Sequence, residues 1–231
     1  MIALLTNDDG IDAEGLASLR AVAARFFDEI WVVAPREQQS QIGHRVTTDT
    51  PIGYESRGER SYAIAGTPAD CVRVAWSTLL PAQPDWVLSG INHGGNLGRH
   101  DLSISGTVAA VREAALAGLP GIAFSHYLLR GHRVDWAAAA GRAGRVLAAL
   151  LDEPPGEGHF WNVNLPHLVA GEPEPQFVRC EPERQPLQVR YEKREAGQLV
   201  YTGDYHERPR IDGSDVAVCF GGDIAVSRVP V

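Results

Sequence analysis

Three short polar runs in this chain combine residue types that can hold a metal ion or an anion. The first is Asn7-Asp8-Asp9-Gly10, directly after the apolar run Ile2 to Leu5. Adjacent side chains of a regular strand point to opposite faces, so both carboxylates reach one site only if the chain turns there, and Gly10 makes such a turn easy. Two carboxylates at a strand end suit a hard divalent cation such as Mg²⁺ or Mn²⁺, which prefers oxygen ligands and keeps several waters. The alternative is that one aspartate caps the helix that follows.

The second run is Ser89-Gly90-Ile91-Asn92-His93-Gly94-Gly95-Asn96-Leu97-Gly98. Its glycines let backbone N–H groups approach an anion closely, and Asn92 and Asn96 add neutral polar contacts. It lacks the G-x-G-x-x-G spacing of a dinucleotide loop, and taken alone it equally describes a flexible surface loop. In the third, Ser105-Gly106-Thr107 opens a helix from Val108 to Leu116, where exposed N–H groups and the helix dipole favour an anion. The same three residues also describe an ordinary N-cap. Ser40, His44, His93 and His100 lie close by in sequence. A lone loop serine is usually just solvated, and each histidine, although able to donate a proton, is more often a plain loop residue. No His-x-x-x-His or Glu-flanked pattern occurs, which disfavours a catalytic zinc.

These runs need a scaffold that brings strand ends together. Apolar β-rich runs alternate with helical patterns through the first two thirds of the chain, the signature of a parallel sheet covered on both faces. Strands are expected at Ile2 to Leu5, Ile30 to Val33, Asp85 to Ser89, Ile122 to Ser125 and Phe160 to Leu165, the last of this unit. Leu16, Leu19, Ala23 and Phe26 recur at helical spacing with Asp12 available as an N-cap. Thr67-Pro68-Ala69-Asp70 combines an N-cap, a first-turn proline and a first-turn acid, starting a helix to about Leu80. A further helix is expected from Asp135 to Leu151. A polar loop runs from Pro35 through Arg60, with strands expected near Val46 and Tyr62. In such sheets ligands gather at the C-terminal strand ends, where all three polar runs fall. Together they describe a divalent metal facing a phosphate pocket.

After Pro166 the composition shifts to proline, glutamate and arginine, then to β-type stretches around Val189, Val200 and Asp215 to Phe220. The expected division is a core over 1–170 and a β-rich extension over 171–231, packed on the sheet or on a second subunit. The whole chain has 231 residues, 44% hydrophobic and 22% charged, an ordinary globular balance. Its net charge of −8 argues against a nucleic-acid polymer or an anionic membrane surface as partner, since both need a basic stripe. Lys193 is the only lysine; flanked by charges and without a glycine loop before it, it suits neither a P-loop nor a Schiff-base enzyme. Cys71, Cys180 and Cys219 form neither a disulfide framework nor a thiolate zinc site. With no signal-peptide pattern and no apolar run approaching a membrane span, a cytoplasmic location is expected.

Thr6-Asn7-Asp8-Asp9-Gly10-Ile11, the segment Val32 to Ser40, Gly66 to Val72, Ser89 to Gly98, Ser105 to Val108 and Asn162-Val163-Asn164-Leu165-Pro166 occur in the order found in the SurE family of nucleotidases, which this chain resembles across residues 4 to 166. The resemblance implies a Rossmann-like α/β phosphatase that hydrolyses nucleoside 5′-monophosphates, with 3′-monophosphates and short polyphosphate as further substrates, using one divalent ion, Mg²⁺ or Mn²⁺. It implies Asp8, Asp9, Ser40 and Asn92 as metal ligands; of these, Asp8 or Asp9 is also expected to orient the attacking water. Phosphate would sit at Asn96 and at Ser105, Gly106 and Thr107. A homodimer or homotetramer is expected, although the closing segment resembles the family loosely and stops early. The chain also departs from the family in the loop between Gly98 and Ser105, where Arg99 and His100 stand in place of acidic residues.

The chemistry expected is in-line attack by metal-activated water on a phosphomonoester. Two rivals remain open at this level. Covalent catalysis through an aspartyl-phosphate would need an Asp-x-Asp-Gly-Thr strand end, but Asn7 and Ile11 occupy the first and last of those positions and an amide cannot form an acyl-phosphate. The other rival is a nucleotide sensor that binds phosphate and metal without turnover.

Overall fold

The computed structural model describes residues 1–169 and 171–231. Strand β1 (Ile2–Thr6) shows why a sheet covered on both faces is the outcome. Its side chains alternate between the faces, and both sets are apolar: Ala3 and Leu5 join one core cluster and Leu4 another. Strand β5 (Trp86–His93) repeats this, with Trp86 and Leu88 on one side and Val87 on the other.

Each face is closed by a pair of helices. Helices α1 (Glu14–Ala23) and α5 (Trp136–Leu151) cover the first face. The α5 residues Ala139, Ala143, Val146, Leu147 and Leu150 form a continuous stripe at helical spacing, all fully buried. Helices α2 (Pro68–Val74) and α4 (Gly106–Leu116) cover the other face through Cys71, Val72, Ala110 and Ala114. The Thr67 start is built as expected: Thr67 and Asp70 form a reciprocal capping box with Pro68 in the first turn. Beyond Val74 the helix widens into a π turn over Ala75–Leu79.

The remaining strands are β2 (Glu29–Pro35), β3 (Tyr54–Gly58), β4 (Ser61–Ile64), β6 (Gly121–His126), β7 (His159–Leu165), β8 (Phe177–Arg179) and β11 (Ile224–Pro230). They assemble a nine-stranded sheet in the order β3-β4-β2-β1-β5-β6-β7-β11-β8. From β4 to β7 every neighbour is parallel; β3 is antiparallel to β4, and β11 runs antiparallel to β7. A separate antiparallel hairpin pairs β9 (Tyr191–Lys193) with β10 (Leu199–Tyr201). No helix among the described residues is long and apolar enough to cross a membrane.

Several local expectations are corrected. Asp12 is not the N-cap of α1; Ala13 holds that position without a side-chain bond, and Phe26 lies past the helix end. No strand forms at Val46. The sheet continues after β7, because β11 pairs with it over six residue pairs, so the segment after Pro166 supplies part of the same sheet. Asp215–Phe220 is not a β-type stretch but a short helix, α6, started by the Ser214 hydroxyl, which accepts from the Ala217 N–H. A further short helix, α3 (Gly98–Ile104), follows the glycine loop.

Candidate active site

The C-terminal ends of β1 and β5 and the start of α4 converge on one cavity of about 620 Å³. Asp8, Ser40, Asn92, Asn96 and Ser105 all line it. Asp9 is not on the lining; its Oδ2 accepts from the N–H of His93, a lining residue, at 2.9 Å, which places it beside the cavity. The chain turns at Gly10, whose φ is positive, and the charge of Asp9 is felt by Asp8.

Asp8 is the most constrained of these groups. It is buried, and its Oδ1 accepts a 2.5 Å hydrogen bond from the Thr107 hydroxyl. Helix α4 reaches it only because residue 106 is glycine: a Cβ there would lie 2.8 Å from the Asp8 Cβ. Burial raises the Asp8 carboxyl to a pKa of about 6; the Thr107 hydrogen bond opposes that rise, and the neighbouring Asp9 charge adds to it. Thr107 is fully buried and serves Asp8, so its hydroxyl supports the carboxylate rather than facing the cavity. Ser105 caps α4 by accepting from the Val108 N–H, which leaves its own hydroxyl proton available on the cavity lining.

The glycine loop is partly strand. β5 runs on through Asn92 and His93, with a one-residue irregularity against β6 between Ser89 and Asn92. Such a bulge re-aims the side chains that follow it. It depends on Gly90, where φ is +124° and a Cβ would lie 2.1 Å from the Phe124 carbonyl oxygen. Asn92 donates its Nδ2 to the Gly94 carbonyl at 2.8 Å, which leaves Oδ1 as an acceptor. Asn96 is pinned on all sides: its N–H goes to Asn164 Oδ1, its carbonyl takes both Asn162 and Asn164 side chains, and its amide meets the Ser125 hydroxyl. The paired asparagines of β7 thus hold the loop from below. Ser40 is exposed on its loop, and its hydroxyl accepts from Gln38 Nε2.

A divalent cation suits this donor set. Asp8 is a buried carboxylate with no basic partner among the described residues, Asn92 presents an amide oxygen, and Ser40 adds a hydroxyl; hard oxygen donors of this kind match Mg²⁺ or Mn²⁺. His93 and His100 also line the cavity, whereas His44 is turned away and bonds Glu113 at 2.7 Å. Sequence reasoning missed the far part of the lining: Leu187, Val189, Tyr191, Tyr201 and Tyr205, all from the segment after the core strands. Tyr205 donates to the Gly95 carbonyl and to Asp101. Nothing in their spacing marks these residues, because only the path of the chain brings them to the strand ends.

Fold and site together define a doubly wound α/β protein whose polar pocket lies at the carboxyl ends of its parallel strands. The model of the family described as survival protein SurE matches residues 3–185. This chain therefore belongs to the SurE family. A relative from Nostoc sp. (strain PCC 7120 / SAG 25.82 / UTEX 2576), named "Putative 5'-nucleotidase alr3139", is 50% identical over 100% of both chains. A 5'-nucleotidase SurE from Brucella canis is 36% identical, covering 97% of this chain and 90% of its own. The SurE crystal structure from Aquifex aeolicus superposes with a TM-score of 0.86 at 30% identity, covering 100% of this chain and 93% of that one.

Proposed function

We propose that this chain hydrolyses nucleoside 5′-monophosphates to nucleoside and phosphate, with 3′-monophosphates and short polyphosphate as secondary substrates. The reading is supported by the names of its relatives. The single observation that carries it is the buried Asp8 carboxylate set against the first turn of α4, with both at one cavity. A negative group and an anion-attracting helix start make sense side by side when a cation joins a phosphate between them.

Asp8, Asp9, Ser40 and Asn92 would hold one divalent ion, Mg²⁺ or Mn²⁺. When bound, such an ion neutralises phosphoryl charge and lowers the pKa of water. The chain's own groups do the rest. Asn96 and Ser105 hold phosphoryl oxygens, and the Gly106 end of α4 favours the negative charge that remains. The Thr107 hydroxyl keeps the Asp8 carboxylate in one orientation, so no reorganisation is needed as the reaction proceeds. The cavity volume lies in the range of small-molecule sites and accommodates a mononucleotide.

Phosphate release from AMP, with and without Mn²⁺, tests this. Turnover that needs the metal and is lost in Asp8→Asn is expected. Full activity of Asp8→Asn in metal-depleted buffer would overturn the reading, and metal-dependent AMP binding without turnover would leave a sensor instead. The expected homodimer or homotetramer belongs to the same proposal and is read from the mass in solution.

A further inference from the structure

We infer that the β9–β10 hairpin supplies a stacking platform for a flat heterocyclic base, with Tyr191 and Tyr201 as its working surface. This deepens the nucleotidase reading and rests on it for the identity of the phosphate carrier.

The cavity that holds Asp8 and Ser105 is not polar throughout. Leu187, Val189, Tyr191 and Tyr201 line it as well, so one continuous space has an anion-binding part and an aromatic and aliphatic part. A nucleoside monophosphate has the same two-part character, whereas inorganic polyphosphate has no apolar portion. The two tyrosines are direct cross-strand partners in the hairpin register. Their rings stand edge to face at 5.4 Å, an arrangement aromatic pairs prefer.

None of the described residues covers this surface. Tyr191 is 59% exposed, Tyr201 46% and Val189 57%. An isolated two-stranded hairpin is marginal in water, and it gains little by leaving its largest apolar side chains open. Exposed apolar surface of this kind marks a binding site. The occupant is chosen by the neighbouring groups: a ligand whose phosphate lies at the α4 start carries its base within the same cavity. Stacking uses the π-face that every base possesses, so the platform selects for a flat ring rather than for one base, and purines, with more area, are held better than pyrimidines.

The test compares AMP with ribose 5-phosphate, which keeps the sugar and phosphate and lacks the base. In the double variant Tyr191→Ala/Tyr201→Ala, kcat/KM for AMP is expected to fall about tenfold, mainly through KM. Ribose 5-phosphate should be handled as by the wild type, and Tyr191→Phe/Tyr201→Phe should retain AMP turnover. Equal losses for both substrates, or a change of oligomeric mass in the alanine variant, would show that the hairpin serves assembly and overturn the inference. Unchanged AMP kinetics would overturn it too. If the wild type hydrolyses neither compound, the nucleotidase reading fails on its own, and calorimetry decides the platform separately. Tighter binding of AMP than of ribose 5-phosphate, with the margin removed in the alanine variant, upholds it; equal affinities overturn it.

Discussion

Arg208 grips Asp101 through two hydrogen bonds, 2.7 Å from Nη1 to Oδ2 and 3.1 Å from Nη2 to Oδ1, with both residues buried. The same guanidinium donates to the Leu97 carbonyl at 3.1 Å and lies over the Tyr205 ring. Tyr205 in turn reaches the Gly95 carbonyl and Asp101. The C-terminal segment therefore straps down the turn from Gly95 to Leu97, and with it the backbone on either side of Asn96. Removing one partner of such a buried pair leaves an uncompensated charge, at a cost of about 3 kcal/mol or more. Arg208→Ala should lower the urea midpoint accordingly. Arg208→Lys keeps the charge but loses the planar fork, so it should recover part of the stability while KM for AMP stays raised. A lysine variant with wild-type KM would show that the strap does not position the loop.

Asp8 destabilises the metal-free fold at neutral pH. Its carboxyl titrates near 6 in the folded chain because burial disfavours the charged form, against 3.8 ordinarily. The folded state therefore holds this proton more tightly than the unfolded state does. The stabilising contribution is complete below about pH 4 and is lost as the pH rises through 6, a difference of about 3 kcal/mol. Asp8→Asn should raise Tm above pH 7 in metal-free buffer, abolish turnover, and show little advantage at pH 4. A variant no more stable than the wild type at pH 8 would contradict the buried-carboxylate account.

His126 acts in the opposite direction. It is buried at the end of β6, its Nδ1 bonds the Tyr127 carbonyl oxygen, and burial lowers its pKa to about 4. The neutral ring is favoured in the fold, so its contribution is present above pH 6.5 and is lost as the pH falls toward 4. His126→Gln should therefore flatten the acid limb of the stability curve. Equilibrium urea unfolding between pH 4 and 7 measures this, and an acid limb of unchanged steepness would count against the assignment.

The parts of this molecule that were legible in the sequence are those in which local chemistry and global fold agree. β1 and β5 could be read because both of their faces are apolar, which only a sheet covered on both sides satisfies. Thr67-Pro68-Ala69-Asp70 could be read because a capping box is complete within four residues. Asp215–Phe220 reads as a strand by its valines, but Ser214 supplies a cap and the turn becomes a helix. The partner of the Thr107 hydroxyl, Asp8, is 99 positions away, so no local pattern around Thr107 reveals it. The tyrosines of the hairpin were invisible for the same reason, since their place at the cavity depends on the course of the chain after β7.

Gly106 offers a test of how closely α4 must approach Asp8. A methyl group at this position would meet the Asp8 Cβ at 2.8 Å, its Oδ2 at 3.0 Å and Pro68 Cγ at 3.1 Å. None of these is the free end of a flexible chain, so the helix or the carboxylate must shift, at about 1 to 3 kcal/mol. Gly106→Ala should fold, with a lowered Tm, and lose at least tenfold in kcat for AMP. Full kcat in this variant would mean that the Asp8 to α4 distance is not critical to turnover.

The Thr107 hydroxyl sets the pH at which Asp8 becomes competent. It donates to the carboxylate at 2.5 Å and so favours the charged form against the larger effect of burial. Thr107→Val keeps the shape of the side chain and removes that donor. A hydrogen bond to a charged group is worth about 1.5 kcal/mol or more, so the Asp8 pKa should climb by about one pH unit above its present value near 6. The acid limb of kcat/KM, measured at sub-saturating Mn²⁺ so that Asp8 must release its proton on metal binding, should move to higher pH by the same amount. Thr107→Ser, which retains the hydroxyl, should leave the limb in place. If the limb stays fixed in Thr107→Val, the proton lost on metal binding belongs to another group and the role given to this hydroxyl is wrong.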